Sequence, residues 1–417
     1  MTELELLEKS YKELCSRELS LNLTRGKPGS EQLDLSNELD GVLNGDFQSV
    51  DGTDVRNYGG LRGIPEIREI GGRILGLSSD NVIAGGNSSL HLMYLTVDQL
   101  VNWGLAGPPL SAKSEISALC PVPGYDRHFT LTQRLGIDMI NVPLTDTGPD
   151  MNRVEELVRN DLSTSFIWCV PKHSNPTGCT YNSETVDRLA ALPALRNQVP
   201  DSPFYVLWDN AYALHDFLDP HPELDSIYER ARQHGTEDRI VQFASTSKIT
   251  FAGGGVSFVG GSDAILESFD NYLFPMTVGF DKVNQLRHAR FFGGSEGLLE
   301  HMQKHAQVLR PKFEAVQKGL AESLGNRGIA TWTQPTGGYF VSLDVKPGLA
   351  SAVVQLAQDA GLSLTPAGAT FPYGNDPNDS NIRIAPTFAS LTEVESAMDV
   401  LGTCVRLAAA RQKIEKA

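Results

Sequence analysis

The sequence predicts an α/β protein: a large domain built on a mostly parallel sheet flanked by helices, with a smaller α+β domain after it. Three observations carry that expectation. At 417 residues the chain exceeds one ordinary core, which holds about 50–250 residues. Through the middle of the chain, short runs rich in Val, Ile, Phe and Trp alternate with helical patterns, the rhythm of a buried parallel sheet with crossover helices. A long helical pattern from Ser295 to Leu324 then leads into a second group of strand-like runs.

Taken in order, Glu3 to Arg17 reads as an amphipathic surface helix and Asn22 to Gly29 (NLTRGKPG) as a Gly/Pro loop. The run from Asn81 to Ala84 predicts a strand that stops at Gly85 and Gly86, with a helix from Ser88. Ser165 to Val170 predicts a second strand, which empties into the turn Pro171 to Gly178. Phe204 to Trp208 predicts a third, ending at Asp209, and Arg239 to Phe243 a fourth, ending at Ser245. Beyond the long helix, Gly338 to Val345, Leu362 to Pro366 and Asn381 to Ala385 predict the strands of the smaller sheet. The expected division is an N-terminal segment, residues 1–45, packing with the small domain, a large domain over 46–310 and a small C-terminal domain over 311–417.

Composition narrows the function. A net charge of −16 argues against nucleic acid or an anionic membrane as partner, because phosphates need a basic face. It leaves small anionic substrates open, since a local cationic pocket can sit in an acidic protein. The five cysteines, Cys15, Cys120, Cys169, Cys179 and Cys404, are scattered without a C-x-x-C pair, so neither a metal site nor a disulfide framework is expected. A reducing, cytoplasmic compartment fits that usage. The N-terminus, MTELELLEKSYKEL, does not read as a signal peptide, and no apolar run approaches the roughly 18–20 residues of a membrane span. No G-x-G-x-x-G follows a first strand, which counts against a dinucleotide-binding dehydrogenase.

The chemistry gathers at the carboxyl ends of the predicted strands, where open α/β sheets bind ligands. Lys248 follows Ser245-Thr246-Ser247 and precedes Gly253-Gly254-Gly255; alone it reads as a solvated lysine. Asp209 closes a run that is otherwise wholly apolar, with Tyr212 three residues on. A carboxylate there is costly to desolvate unless it meets a cation, such as a protonated pyridine nitrogen; its bland reading is a helix N-cap. Asn175, in Asn175-Pro176-Thr177-Gly178, and Tyr212 can both hydrogen-bond a phenolic oxygen, although Asn-Pro is also an ordinary turn. Gly86-Asn87-Ser88-Ser89 puts backbone N–H groups and hydroxyls at a helix start, an anion site fit for a phosphate or a plain serine cap. Ser245 and Ser247 can add to it.

The ordered set Tyr58-Gly-Gly-Leu-Arg-Gly, Gly86-Asn87-Ser88-Ser89, Pro123-Gly124-Tyr125, Asn175-Pro-Thr-Gly, Asp209-Asn-Ala-Tyr212, Ser245-Thr-Ser-Lys248 and Asn381-Ile-Arg383-Ile resembles the fold-type I pyridoxal 5′-phosphate (PLP) aminotransferases, the aspartate aminotransferase superfamily. The wording TRGKPG, PKHSNPTG and TVGFDKVNQLRH is similar to a divergent bacterial group related to MocR-type aminotransferase domains. The resemblance covers nearly the whole chain. It implies that Lys248 carries PLP as a Schiff base and then serves as the base, that Asp209 pairs with the pyridinium, that Asn175 and Tyr212 hold the phenolic oxygen, and that Tyr125 stacks on the ring. It implies Asn87, Ser88, Ser89 and Ser245 as phosphate ligands, and Arg383 as the fork for the substrate α-carboxylate, a geometry suited to arginine. Tyr58 matches a tyrosine that reaches the neighbouring subunit's phosphate, which implies a homodimer with shared sites. One departure is that the family's arginine about eight residues after the lysine is replaced here by Gly253-Gly-Gly-Val256.

The implied reaction is ping-pong transamination, with L-aspartate and 2-oxoglutarate as the first choice of substrates. An acidic substrate wants a second cation. Arg25, with Gly26 beside it, Lys282, Arg287 and Arg127 are the candidates, and each also reads as a surface or salt-bridged residue. Alternatives are an aminotransferase for alanine or aromatic substrates, a β-lyase or decarboxylase on the same fold, and a non-catalytic PLP-binding sensor. The acidic charge and the lack of a DNA-binding segment in the sequence weigh against the sensor.

Overall fold

The computed structural model describes residues 2–199 and 201–415. In chain order the strands are β1 (Leu21–Asn22), β2 (Val82–Ala84), β3 (Ser117–Val122), β4 (Asp138–Thr145), β5 (Gly148–Pro149), β6 (Thr164–Cys169), β7 (Tyr205–Asp209), β8 (Ile240–Ser245), β9 (Ser257–Gly260), β10 (Ala330–Trp332), β11 (Val341–Val345), β12 (Leu362–Ser363) and β13 (Asn381–Ile384). The large sheet has the order β2-β9-β8-β7-β6-β3-β4-β5. Its centre, β8-β7-β6-β3-β4, is parallel.

β3, β6, β7 and β8 are buried at every residue, as a parallel sheet covered on both faces requires. Successive side chains go to opposite faces. Phe166 and Trp168 enter one hydrophobic core, with Leu207 and Phe243; Ile167 and Cys169 enter the other, with Val206 and Trp208. Such side chains stabilise by about 1.5–3 kcal/mol each when fully buried, so two apolar layers fix the register of the whole sheet.

One detail differs from expectation. Among the described residues β2 has no parallel partner; it pairs antiparallel with β9, which pairs antiparallel with β8. Two reversals leave β2 running in the same sense as β8. The carboxyl ends of β2, β6, β7 and β8 therefore open on one edge of the sheet.

The helix Ser295–Leu324 has the bounds its pattern predicts. Leu298 and Met302 lie in the core of the large sheet, whereas Leu309, Phe313, Val316, Leu320 and Leu324 lie in the core around β11 and β13. One helix thus anchors both layers.

The smaller sheet is antiparallel, β10-β11-β13. The strand expected from Leu362 to Pro366 is reduced to β12, and it does not join that sheet. It pairs parallel with β1, Leu21 against Leu362, while both leucines bury in the core shared with Leu343 and Ile384. The N-terminal helix is shorter than expected, Glu3–Cys15, held at its start by a capping box between Thr2 and Glu5. It buries Leu7 and Leu14 and packs against the helix Leu391–Glu415, so it is a docked element rather than a solvated one. Among the described residues, no helix is long and apolar enough to cross a membrane.

Leu23 is fully buried in the core that joins the N-terminal segment to the small sheet. Leu23→Ala is expected to cost about 2–5 kcal/mol of stability, read as a lower urea midpoint.

Candidate active site

The edge where β2, β6, β7 and β8 end meets the small sheet across a cavity of about 450 Å³. Its wall includes Lys248, Tyr212, Tyr125 and Asn175 from the large sheet, Arg383 from β13, and Arg25 and Gly26 from the N-terminal loop.

Asp209 closes β7 with its side chain 3% exposed. Oδ2 lies 3.0 Å from His128 Nε2, while Oδ1 is buried with no partner among the described residues. The imidazole is fixed in turn. It stacks on Trp168 at 4.2 Å and 8°, and the Trp168 indole N–H donates to Thr132 Oγ1 at 2.9 Å. A buried, unpaired carboxylate oxygen is expensive in the absence of a cation or donor.

Lys248 sits in the turn after β8, partly buried, with Nζ 4.9 Å from the Tyr212 ring centroid. Burial lowers its pKa and the Asp209 carboxylate pulls it back up. An amine that is more often neutral than an exposed lysine is a better nucleophile and base. Tyr212 is itself buried, and burial raises its phenol well above the usual value. Tyr125 precedes the helix Asp126–Arg134, and burial followed by the charges of Asp209 and Asp126 raises its phenol as well.

Asn175 follows β6, and its buried Oδ1 accepts from Arg383 Nη1 at 3.3 Å. The same Nη1 donates to Asp126 Oδ1 at 2.9 Å, and Nη2 donates to Thr365 Oγ1 at 3.3 Å. Arg383 Nε has no partner among the described residues. The guanidinium is thereby held above the Phe340 ring, 5.1 Å from its centroid. Gly26 packs on Phe340 so closely that a Cβ would overlap the ring, which explains a glycine in that wall.

At the end of β2, Ser257 N–H and Oγ both donate to Gly86 O, at 2.7 and 2.8 Å. Ser247 Oγ donates to Asn87 O at 3.0 Å, and Asn87 Nδ2 donates to Gly253 O at 3.0 Å. The Asn87 side chain is therefore exposed and engaged with the glycine loop. The helix Ser89–Asn102 begins with no side-chain cap from Ser88, leaving its first N–H groups to meet an anion. Ser245 is buried beside this start, with its Oγ 3.4 Å from Ser247 N. Asn284 ties down the glycine loop by donating to Gly254 O and Gly255 O, both at 3.0 Å. A Cβ on Gly255 would lie 2.9 Å from Thr246 Oγ1, so a side chain there would push the loop away.

Not every expected cation reaches the cavity. Arg25 and Arg127 line it. Lys282 does not, because its ammonium donates to Gly59 O at 2.6 Å. Arg287 is likewise turned away, to Leu39 O at 3.2 Å. Tyr58, next to Gly59 in the chain, is 86% exposed. Two functional neighbours escape sequence reasoning: His128, which orients Asp209, and Asp126, which pairs with Arg383. The available signal for His128 is its place three residues after Tyr125, one helical turn along PGYDRH.

The large sheet with these groups at its strand ends, faced by an arginine from a smaller sheet, defines a fold-type I transferase. The family model described as aspartate amino-transferase matches residues 2–417, and the chain belongs to that family. It is 48% identical over 411 residues to a Mycolicibacterium smegmatis protein named as an aminotransferase, covering 97% of this chain and 95% of that one. It is 46% identical over 413 residues to the aspartate aminotransferase of Corynebacterium glutamicum, covering 97% and 93%. A crystal structure of an aminotransferase from Corynebacterium diphtheriae superposes with a TM-score of 0.94 at 48% identity, covering 98% of this chain and 100% of that chain. The protein is an aminotransferase of the class that depends on PLP.

Burial lowers the pKa of His215 to about 3 and those of His288 and His305 to about 4, from 6.5. The unfolded chain takes up these protons first, so their contribution to stability is full above about pH 6.5 and is lost as pH falls toward about 4. The urea midpoint is expected to drop from pH 7 to pH 5, and to drop less in His288→Asn, measured by denaturation at each pH.

Proposed function

We propose that this protein transfers the amino group of L-aspartate to 2-oxoglutarate by a ping-pong reaction, with PLP held at the strand ends. The observation that carries the cofactor's placement is Asp209 Oδ1, buried and without a partner among the described residues, in a carboxylate whose charge acts on the Lys248 amine that lines the cavity. A pyridinium N–H is the donor that would satisfy that oxygen, and His128 keeps the carboxylate aimed. When bound, PLP supplies an electron sink that acidifies the substrate α-carbon.

The chain's own residues do the rest. Lys248 is the attachment point and, once displaced by substrate, the base that takes the α-proton and returns it one position along. Its lowered pKa suits both tasks. Asn175 and Tyr212 hold the phenolic oxygen, and Tyr125 covers the ring face. Ser88, Ser89, Asn87, Ser245 and Ser247, with the uncapped helix start, receive the phosphate. Arg383 forks onto the α-carboxylate, exchanging its bond to Asp126 for the substrate. Arg25, which lines the cavity with its side chain free of partners among the described residues, takes the distal carboxylate with Gly26 beside it, and Arg127 is its nearest rival. The relative from Corynebacterium glutamicum, named an aspartate aminotransferase, supports the substrate choice.

The reading extends to a cytoplasmic homodimer and to the division at 45/46 and 310/311. Tyr58, Phe274 and Val278 are 86%, 79% and 61% exposed, close to where the backbone at Gly279 abuts Gly59. An apolar patch of this kind supports a second copy covering it.

Lys248→Ala is expected to lose turnover by several orders of magnitude in a steady-state assay. With 2-oxoglutarate as acceptor, aspartate is expected to outperform alanine and tyrosine as donor; a clear preference for either uncharged donor overturns the substrate choice. Arg25→Ala is expected to raise KM for aspartate about 10–100-fold with little change for alanine, as loss of a charge-assisted pair implies.

A further inference from the structure

The Lys248 carbonyl is unusual in what holds it. No backbone N–H among the described residues reaches it, because the chain leaves the turn toward Gly253 without forming a helix. Two side chains meet it instead. The Tyr339 hydroxyl donates at 3.1 Å and His215 Nε2 lies at 3.2 Å. A carbonyl only accepts, so His215 carries its proton on Nε2. Its Nδ1 is then an acceptor, and it is buried with no partner among the described residues. The next carbonyl, of Ile249, is met by His301 Nε2 at 2.7 Å.

Tyr339 is fully buried and belongs to a longer chain of bonds. Its oxygen accepts from Gln32 Nε2 at 2.8 Å, and Gln32 Oε1 accepts from Gly29 N at 3.3 Å. Gly29 ends the loop that places Arg25 and Gly26 in the cavity wall. Phe340, the residue after Tyr339, packs on Gly26 and lines the same cavity. His215 and Tyr339 also brace each other edge to face, 5.4 Å apart at 82°. Three separate stretches of chain therefore meet two carbonyls beside one amine, and a fourth joins them through Gln32.

We propose that Tyr339 and His215 are positioning residues for Lys248: by occupying its carbonyl they fix where its amine stands, and through Gln32 and Gly29 they tie that position to the loop that walls the substrate cavity. This rests on Lys248 being the reactive amine. Fixing the backbone matters because a flexible four-carbon stem alone leaves the amine free to wander, and an ångström of misplacement is costly in a proton transfer. A merely structural clamp would instead lower stability and leave the chemistry of the amine untouched. The titratable groups facing the turn are Asp209, Tyr212, His215, Tyr339, His301 and His305, with His288 bonded to Thr250 at its far end.

The test compares Tyr339→Phe, His215→Leu and His215→Gln with the unaltered full-length protein. Three quantities are read: the split between kcat and KM for the amino donor, the kinetic isotope effect with α-deuterated donor, and the pH midpoint for acylation of Lys248 in protein freed of cofactor, followed by peptide mass spectrometry. In Tyr339→Phe, kcat is expected to fall about 10–100-fold with KM nearly unchanged, and the isotope effect to rise as proton transfer becomes limiting. The acylation midpoint is expected to move up toward the ordinary lysine value as water reaches the amine. His215→Leu should behave alike, and His215→Gln, which keeps a donor at similar reach, should recover most of the loss. An unchanged isotope effect and midpoint in Tyr339→Phe overturns the proposal whatever its melting temperature, and if His215→Leu does not fold, Tyr339→Phe decides alone. A fully active Lys248→Ala would remove the functional reading itself; an inactive Lys248→Ala beside an unaltered Tyr339→Phe removes only the positioning role.

Discussion

The buried carboxylate of Asp209 is the constraint on which the rest of the site depends. One oxygen is tied to His128 and the other is left without a donor among the described residues, at the end of a strand whose other residues are all apolar. Folding places that oxygen there at a cost, because nothing in the large sheet satisfies it. The cost is consistent with a site that is completed by a cationic ring nitrogen. The stack of His128 on Trp168 and the bond from Trp168 to Thr132 hold the carboxylate in one orientation, so that its charge acts in a fixed direction.

The sheet explains why the other groups share that edge. Parallel strands deliver their carboxyl ends to one side, and β2 joins them by running antiparallel to β9, which itself opposes β8. Across the cavity, the small sheet contributes Arg383 and Phe340, and the N-terminal loop contributes Arg25 and Gly26. The helix Ser295–Leu324 and the β1–β12 pairing bind these parts to the same framework. The groups proposed for substrate recognition and for the amine chemistry thus come from different layers that meet at the cavity and at the Lys248 carbonyl.

Much of this was legible in the sequence, for a physical reason. Asp209 and the Asn175 and Lys248 turns interrupt or end apolar runs, and a polar group at such a place needs a purpose. The long helix was readable because its apolar spacing persists for 30 residues. β4 was harder, since near the sheet edge its burial alternates and Pro143 interrupts it. β10 and β12 are too short to carry a pattern. Basic residues were the least legible. Lys282 and Arg287 look like Arg25 in sequence, yet the carbonyls of Gly59 and Leu39, hundreds of residues away, claim them. His128 and Tyr339 were missed because their value lies in what they touch, which local pattern does not encode.

The central claim, that one amine at the strand ends carries the cofactor opposite Asp209, is tested most directly by trapping. The full-length protein is saturated with PLP, reduced with borohydride, digested and mapped by mass spectrometry. The expected result is a single stoichiometric phosphopyridoxyl adduct on the peptide that contains Lys248. An adduct on another lysine, or none under conditions that support turnover, would contradict it.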